Sequence, residues 1–164
     1  FQYMILRTGT KQLNGKFSQI CQKDLIGLKL SRFVKEEDLD SFLDDYLKGI
    51  ILPKIIGLSG PLGAGKTTVA KKIIKFFGCN EVVTSPTFNI VKSYEVAEIK
   101  IFHVDLYRLN SWSEFIDLDL PLSEDNTLVL IEWASLMMEA NVPNMDLIKI
   151  EIVDHEKREI FINV

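Results

Sequence analysis

The clearest hydrophobic pattern in the chain lies between residues 35 and 48. Five apolar side chains recur there at i, i+3, i+4, i+7 and i+8: Leu39, Phe42, Leu43, Tyr46 and Leu47. That spacing places them on one face of a helix. The acidic residues 36–38 suit the first turn of such a helix, and Gly49 suits its end. We therefore predict an amphipathic helix over 35–48 that packs on a core through this face.

Shorter apolar runs, separated by turn residues, predict strands. They cover residues 28–34, 55–58, 88–94, 99–104, 127–131, 148–153 and 159–164, with a second helix over 67–77. The run 127–131 is almost wholly apolar, as in a parallel strand buried on both faces. The last two runs flank the polar residues 154–157, which predicts a hairpin. Strands interleaved with helices predict an α/β fold, with a mixed, mainly parallel sheet flanked by helices and with antiparallel hairpins.

The first 28 residues differ from the rest of the chain. Glycines divide them into short apolar pieces that show no sustained period. We interpret residues 1–28 as an N-terminal extension of unclear role. Residues 29–164 are long enough to form one domain with a substantial core.

The charge balance argues against a protein that grips nucleic acid by itself. The formal net charge is −4, the pI is about 5.2, and only four of the 19 basic residues are arginines. A nucleic-acid binder usually carries a basic face or stripe, and the sequence shows none. Any RNA is therefore expected to be held mainly by another subunit.

Cysteine use and hydropathy predict a cytoplasmic protein that does not enter a membrane. Cys21 and Cys79 are far apart and form no C-x-x-C motif, which is typical of reduced thiols. No apolar run approaches the ~20 residues needed to span a bilayer. The first residues also lack the pattern of a signal peptide.

The most informative motif follows the predicted strand 55–58. Residues 60–67 read Gly-Pro-Leu-Gly-Ala-Gly-Lys-Thr, which fits G-x-x-x-x-G-K-T, and a predicted helix follows. Glycines let backbone N–H groups turn towards phosphate oxygens, and the helix start adds partial positive charge. Lys66 can reach the β- and γ-phosphates, and the Thr67 hydroxyl can bind Mg²⁺. The motif predicts a P-loop NTPase-like domain that binds a nucleoside triphosphate with Mg²⁺; the alternative is a glycine-rich turn that only packs the helix.

Two carboxylates follow predicted strands directly. Asp105 ends the run 99–104, and Glu132 ends the run 127–131. In open α/β sheets, ligands bind beyond the carboxyl ends of the strands, so both acids are expected beside the phosphate loop. One can hold Mg²⁺ while the other positions the attacking water. The alternative is that either acid is a helix cap or a solvated loop charge.

Other polar and aromatic residues carry weaker signals. Ser85-Pro86-Thr87 is a loop between predicted strands, and as a bare tripeptide it indicates only a turn. His103 alternates within a strand, which favours a core histidine over a catalytic one. Trp112 and Trp133 are interpreted as core or interface aromatics.

Taken in order, these pieces resemble the bacterial TsaE (YjeE) family of small ATPases. The resemblance rests on GPLGAGKTT (60–68), SPTF (85–88), HVDLYRL (103–109) and IEW (131–133), and it covers roughly residues 30–164. It implies a Mg²⁺-dependent ATPase of tRNA threonylcarbamoyladenosine biosynthesis that works with a TsaB–TsaD-type complex. tRNA would then be met only through that complex, and hydrolysis would be slow without it. Pro61, where the family usually has Asp, and Ala134, where it usually has Pro, depart from the pattern.

The resemblance also implies roles for individual residues. Lys66, Asp105 and Glu132 are the predicted catalytic residues, with Asp105 as the Walker B acid. Thr67, Glu132 and Asp105 are the predicted Mg²⁺ site. The predicted nucleotide contacts are Gly60, Leu62, Gly63, Ala64, Gly65, Lys66, Thr67, Thr68, Ser85, Thr87 and Arg158, and residues 85–87 are the expected nucleotide-sensitive switch.

Other classes of P-loop protein fit less well. A small-molecule or nucleotide kinase usually supplies arginines over the transferring phosphate, whereas only Arg108 and Arg158 occur in the second half of the chain. The sequence contains no N-K-x-D motif for guanine and no Ser-Gly-Gly transporter signature. The kinase remains the principal alternative.

Overall fold

The computed structural model of the chain describes residues 5–6, 29–137 and 142–163. Within these ranges it has eight strands and three α-helices. In chain order they are β1 (Ile5–Leu6), β2 (Lys29–Lys35), α1 (Leu39–Leu47), β3 (Lys54–Ser59), α2 (Lys66–Phe76), β4 (Val91–Val96), β5 (Ile99–Asp105), α3 (Trp112–Ile116), β6 (Thr127–Glu132), β7 (Met145–Ile152) and β8 (Lys157–Asn163). Short 3-10 turns precede α1 (Glu36–Asp38) and follow β5 (Leu106–Arg108) and β6 (Ala134–Met137).

All eight strands join one sheet in the order β1-β2-β8-β7-β3-β6-β5-β4. The four central strands, β7, β3, β6 and β5, pair in parallel, and the pairs outside them are antiparallel. The central parallel strands carry the phosphate loop and both candidate carboxylates. The predicted α/β class, with a mixed sheet, flanking helices and antiparallel hairpins, is confirmed.

Several bounds differ from the predicted ones; β4, for example, begins at Val91 rather than at residue 88, because residues 86–90 form a turn. β7 begins at Met145 rather than at residue 148, because Asp146 lies buried within the strand. The predicted helix 35–48 begins with a 3-10 turn before α1. The polar connection 110–126 contains the short helix α3, whose N-cap Ser111 accepts a hydrogen bond from the backbone N–H of Glu114 at 3.3 Å.

Alternation along the strands divides the core between the two faces of the sheet. On β6, Leu128 and Leu130 face the core formed with α1 and α2, while Val129 and Ile131 face the core on the opposite side. The apolar face predicted for α1 is buried in the first of these cores. Both faces of the central strands are therefore covered, and the polar groups lie at the amino and carboxyl ends of these strands.

A buried polar contact lies at the amino ends of β3 and β7. The Nζ of Lys54 lies 2.5 Å from Oδ1 of Asp146, and the hydroxyl of Tyr46 donates to its Oδ2 at 2.8 Å. Proximity to this carboxylate and, above all, burial raise the pKa of Tyr46 well above its ordinary value of 10.0. The contact joins α1, β3 and β7 through residues 100 positions apart in the chain.

The predicted N-terminal extension lies almost entirely outside the described residues. Of it, Ile5–Leu6 form β1 and pair antiparallel with β2. Its boundary with the domain at 29–164 stays a prediction. No helix among the described residues is long and apolar enough to cross a membrane.

Candidate functional site

The loop between β3 and α2 leaves open space on the side that faces away from the sheet. Gly63 and Gly65 have φ values of 76° and 107°, and a Cβ built on either would meet nothing within 4 Å. Gly65 is also the N-cap of α2 and offers that helix no side-chain acceptor. The first-turn N–H groups of α2 are thus available to an anion.

The other side of the loop rests on the sheet. A Cβ on Gly60 would lie 2.4 Å from the carbonyl oxygen of Ile150 in β7, so only glycine allows this close approach. Arg158 of β8 donates from Nε to the carbonyl of Ala64 at 3.2 Å. Its Nη1 donates to the carbonyls of Asp154 and Lys157 at 2.7 and 3.0 Å. The last two strands therefore support the phosphate loop from below.

Lys66 begins α2 and is buried beneath the loop. Its Nζ donates to the carbonyls of Gly60 and Pro61, both at 2.9 Å, and lies 3.6 Å from the centre of the Trp133 ring. Burial lowers the pKa of Lys66 from its ordinary value of 10.5, while the nearby charges of Glu132 and Asp105 act in the opposite direction. A desolvated cation with these neutral contacts is well placed to receive an anion.

Glu132 connects α2 to the sheet. Thr67, the second residue of α2, donates its hydroxyl to Oε2 of Glu132 at 2.9 Å. The other oxygen, Oε1, lies 2.8 Å from Nε2 of His103. Glu132 and His103 are both buried. The carboxylate is thus held between the end of β5 and the start of α2.

Asp105 is held by the loop that follows α2. Its Oδ2 accepts hydrogen bonds from the hydroxyls of Thr87 and Ser85 at 2.6 and 3.4 Å. Its Oδ1 accepts the backbone N–H of Tyr107 at 2.9 Å. Because Asp105 and Glu132 are register partners on β5 and β6, the loop 85–87 is joined to the edge that carries Glu132.

A cleft of about 520 Å³ opens beside the phosphate loop. Its walls combine apolar side chains from the sheet and helices with charged ones from the turn after β2 and from the β7–β8 hairpin. They include Val34, Leu39, Val69, Ile160, Glu37 and Arg158, and Gly63, Gly65 and Thr68 form its border with the loop. A concave cleft that combines apolar walls with polar and charged groups can hold a small molecule.

The structure brings the predicted site residues into one contact network. The loop residues, Thr67 and Glu132 meet directly, Asp105 links Ser85 and Thr87 to the same edge, and Arg158 supports the loop while lining the cleft. Leu62 lies at the tip of the loop and is 80% exposed. Their roles in binding and catalysis stay predictions.

Two residues of this network were not predicted as parts of the site. His103 contacts Glu132, and the Trp133 ring lies against the Lys66 ammonium group. The alternation in His-x-Asp at the end of a strand was a usable signal for His103, because it places His103 and Asp105 on one face. For Trp133 the signal was its position directly after Glu132.

The residues present fit a nucleotide with Mg²⁺. The space above Gly63 and Gly65 admits phosphate oxygens, and the buried Lys66 offers a positive charge beside it. Thr67 and Glu132 supply a hydroxyl and a carboxylate within hydrogen-bond distance of each other. Oxygen ligands of this kind are what Mg²⁺ prefers.

Comparison with known proteins decides the family. A family model described as "Threonylcarbamoyl adenosine biosynthesis protein TsaE" matches residues 22–160. This range includes the phosphate loop and both carboxylates. The chain belongs to the TsaE family.

Several relatives of the TsaE family carry the name tRNA threonylcarbamoyladenosine biosynthesis protein TsaE. The one from Rickettsia conorii is 39% identical over 63% of this chain and 60% of its own length. Those from Bacillus subtilis and Aquifex aeolicus are 36% and 34% identical, over 65% and 76% of this chain and 66% and 88% of theirs. The match thus spans about three fifths of the Rickettsia conorii protein and most of the Aquifex aeolicus one.

A solved structure has a similar fold. The crystal structure of YdiB from Bacillus subtilis is 26% identical and superposes with a TM-score of 0.64, over 83% of this chain and 85% of that one. The TsaE family and the P-loop NTPase-like fold therefore agree with the motifs at residues 60–68, 85–88, 103–109 and 131–133.

Proposed function

We propose that the chain is a Mg²⁺-dependent ATPase that supports threonylcarbamoyladenosine formation at position 37 of tRNA, together with a TsaB–TsaD-type complex. The contact between Thr67 and Glu132 at 2.9 Å carries the proposal. It joins the last residue of the phosphate-loop motif to a buried acid at the end of β6. A glycine-rich turn with only a packing role would not require that acid.

The chain's own residues would divide the work of binding. Backbone N–H groups of residues 60–67 and the ammonium group of Lys66 hold the phosphates. Thr67 and Glu132 hold Mg²⁺, which supplies positive charge next to the phosphate oxygens. The cleft beside Thr68 receives the nucleoside, with Arg158 fixing the loop at its border.

Asp105 has a different task in this proposal. Its carboxylate already accepts three hydrogen bonds, two of them from hydroxyls of the loop 85–87. It supports the Mg²⁺ site from the neighbouring strand and transmits changes there to Ser85 and Thr87. A loop joined to a nucleotide site by hydroxyl contacts is a suitable switch for a partner protein.

The exposed side chains next to this loop favour a protein partner. Phe88, next to Thr87, is 90% exposed, and Tyr107, whose backbone N–H contacts Asp105, is 59% exposed. The net charge of −4 does not favour direct binding of tRNA. The TsaB–TsaD-type complex would therefore hold the tRNA, and this chain would act in the cytoplasm on that complex.

A kinase remains the alternative, and the contacts of Arg158 weigh against it. Kinases use arginines to stabilise the transferring phosphoryl group. Here Nε and Nη1 of Arg158 donate hydrogen bonds to backbone carbonyls, and Arg108 lies exposed on the surface. These arginines support the loop or face solvent.

Hydrolysis assays with purified components test the proposal. ATP and GTP are compared with and without Mg²⁺, a TsaB–TsaD complex and tRNA. We expect slow ATP hydrolysis by the chain alone and clear stimulation by the complex. Glu132→Gln keeps the shape of the side chain and should reduce Mg²⁺-dependent hydrolysis far more than Mg²⁺-free nucleotide binding.

Glu124→Gln is the matched control, since Glu124 is exposed before the start of β6 and its carboxylate pairs with exposed Lys100 at 3.5 Å. Its hydrolysis rate should equal that of the wild type. Full activity without a partner, tight tRNA binding by the isolated chain, or phosphorylation of a small-molecule acceptor would each contradict the proposal.

A further inference from the structure

His103 is a fully buried histidine that contacts Glu132, one of the two candidate carboxylates. It shares one face of β5 with Asp105, and its register partner on β6 is Leu130, two residues before Glu132. Its Nε2 lies 2.8 Å from Oε1 of Glu132. Its Nδ1 is buried and has no hydrogen-bond partner among the described residues.

The chemistry of this contact fixes the direction of the hydrogen bond. An ionised carboxylate only accepts, so Nε2 of His103 carries the proton and donates it to Oε1. The Thr67 hydroxyl donates to Oε2. We infer that His103 is a positioning residue, whose Nε2–H holds the Glu132 carboxylate in the orientation that presents Oε2 to Thr67 and to Mg²⁺.

The unpartnered Nδ1 separates this role from simple packing. Burying a polar atom without a partner destabilises the fold, and an apolar side chain would fill the same space without that cost. The hydrogen bond between Nε2 and Glu132 therefore explains why a histidine, and not an apolar residue, occupies this position.

The inference rests on the proposed binding of Mg²⁺ and nucleotide. When the Thr67 hydroxyl and Oε2 of Glu132 both bind the metal, the hydrogen bond between them no longer fixes the carboxylate. The bond from His103 then remains to fix a glutamate side chain with several rotatable bonds. Partners that orient a metal-binding side chain typically contribute 10- to 100-fold in metal affinity or activity.

The first test reads the tautomer in the nucleotide-free protein. The chain has two histidines, His103 and His155, so ¹⁵N–¹H correlations of the imidazoles give two sets of signals, and His155→Gln assigns them. We expect His103 to be protonated at Nε2, with a proton that is lost or shifted in Glu132→Gln. A proton found on Nδ1 alone would overturn the inference.

The second test measures binding of a fluorescent ATP analogue with and without Mg²⁺. His103→Phe keeps a ring but removes the donor, whereas His103→Gln retains an N–H near the position of Nε2. We expect His103→Phe to weaken the Mg²⁺-dependent part of binding roughly 10- to 100-fold while leaving Mg²⁺-free binding within about 2-fold. His103→Gln should restore most of the loss, and Glu124→Gln, which lies outside the cleft, should behave as the wild type.

The outcomes distinguish the two proposals. If the wild type shows no Mg²⁺-dependent nucleotide binding, the proposed function fails. If the wild type shows it and His103→Phe retains it in full, only the role of His103 fails. An equal loss of nucleotide binding with and without Mg²⁺ in His103→Phe would show that His103 is a structural residue and would also overturn the inference. If His103→Phe does not fold, the tautomer of His103 and the Mg²⁺-dependent nucleotide binding of His103→Gln still test the inference.

Discussion

Lys54 begins β3, and Lys66 begins α2 beyond the loop at the other end of that strand. Both are largely buried, but their surroundings differ. Lys54 pairs with Asp146 at 2.5 Å, whereas the contacts of Lys66 are two carbonyls and an aromatic ring. At one end of the strand, positive and negative charges meet within the protein. At the other, burial lowers the pKa of a cation that faces the open phosphate loop. The comparison separates a charge that stabilises the fold from one placed for an external anion.

The largest effect is expected at the paired end. Lys54→Met leaves the buried carboxylate of Asp146 without its cation and should lower the free energy of unfolding by about 3–5 kcal/mol. Urea denaturation followed by circular dichroism measures this. Lys100→Met, which removes an exposed pair with Glu124, should cost less than about 1 kcal/mol. Similar losses in both variants would contradict the distinction.

At the open end, Lys66→Met should affect binding instead of stability. Losing charge-assisted contacts with phosphate weakens nucleotide affinity roughly 10- to 100-fold, about 1.5–3 kcal/mol. The free energy of unfolding at neutral pH should change by no more than about 1 kcal/mol, because the native state disfavours this buried cation. Calorimetric titration with nucleotide and urea denaturation measure the two quantities.

Lys71→Met, on the exposed side of α2, is the matched control for Lys66. Its affinity and stability should both equal those of the wild type. The pH dependence gives a further check. Since the folded pKa of Lys66 lies below 10.5, its contribution makes stability rise with pH between the folded pKa and that value. The rise should be absent in Lys66→Met.

The smallest effect, and one of opposite sign with pH, is expected from Tyr46. Tyr46→Phe removes a hydrogen bond to a charged acceptor and should cost about 1.5 kcal/mol at neutral pH. Because the folded pKa of Tyr46 lies well above 10.0, its stabilisation is complete below about pH 10 and is lost as the pH rises towards the folded value. Urea denaturation across this range measures the slope.

In Tyr46→Phe this part of the alkaline loss should disappear. Tyr107→Phe alters an exposed hydroxyl and serves as the control for stability. An unchanged alkaline slope in Tyr46→Phe would show that the phenol does not contribute through its contact with Asp146.

The two ends also differ in how far the sequence predicted them. The phosphate-loop end is encoded locally: residues 60–67 form one motif, and Asp105 and Glu132 each follow an apolar run. Parallel strands bring such residues together at one edge without further information. The fold class and the neighbourhood of these residues could therefore be predicted.

The paired end could not be predicted in this way. Tyr46 and Asp146 are 100 positions apart, and a single acid in a strand-like run interrupts the hydrophobic pattern. That is why β7 seemed to begin at residue 148. The contact of His103 was missed for a similar reason: His-x-Asp alternation places it on the same face as Asp105, but its partner Glu132 lies on another strand.

The loop that would hold the nucleotide is supported by residues that follow it by about 90 positions in the chain. Gly60 packs on the carbonyl of Ile150, and Ala64 accepts a hydrogen bond from Arg158. During synthesis, residues 60–67 leave the ribosome well before the strands that support them, and such distant contacts form late. The loop reaches its mature shape only once β7 and β8 have been made and paired, so an incompletely synthesised chain would carry the whole motif without a finished site.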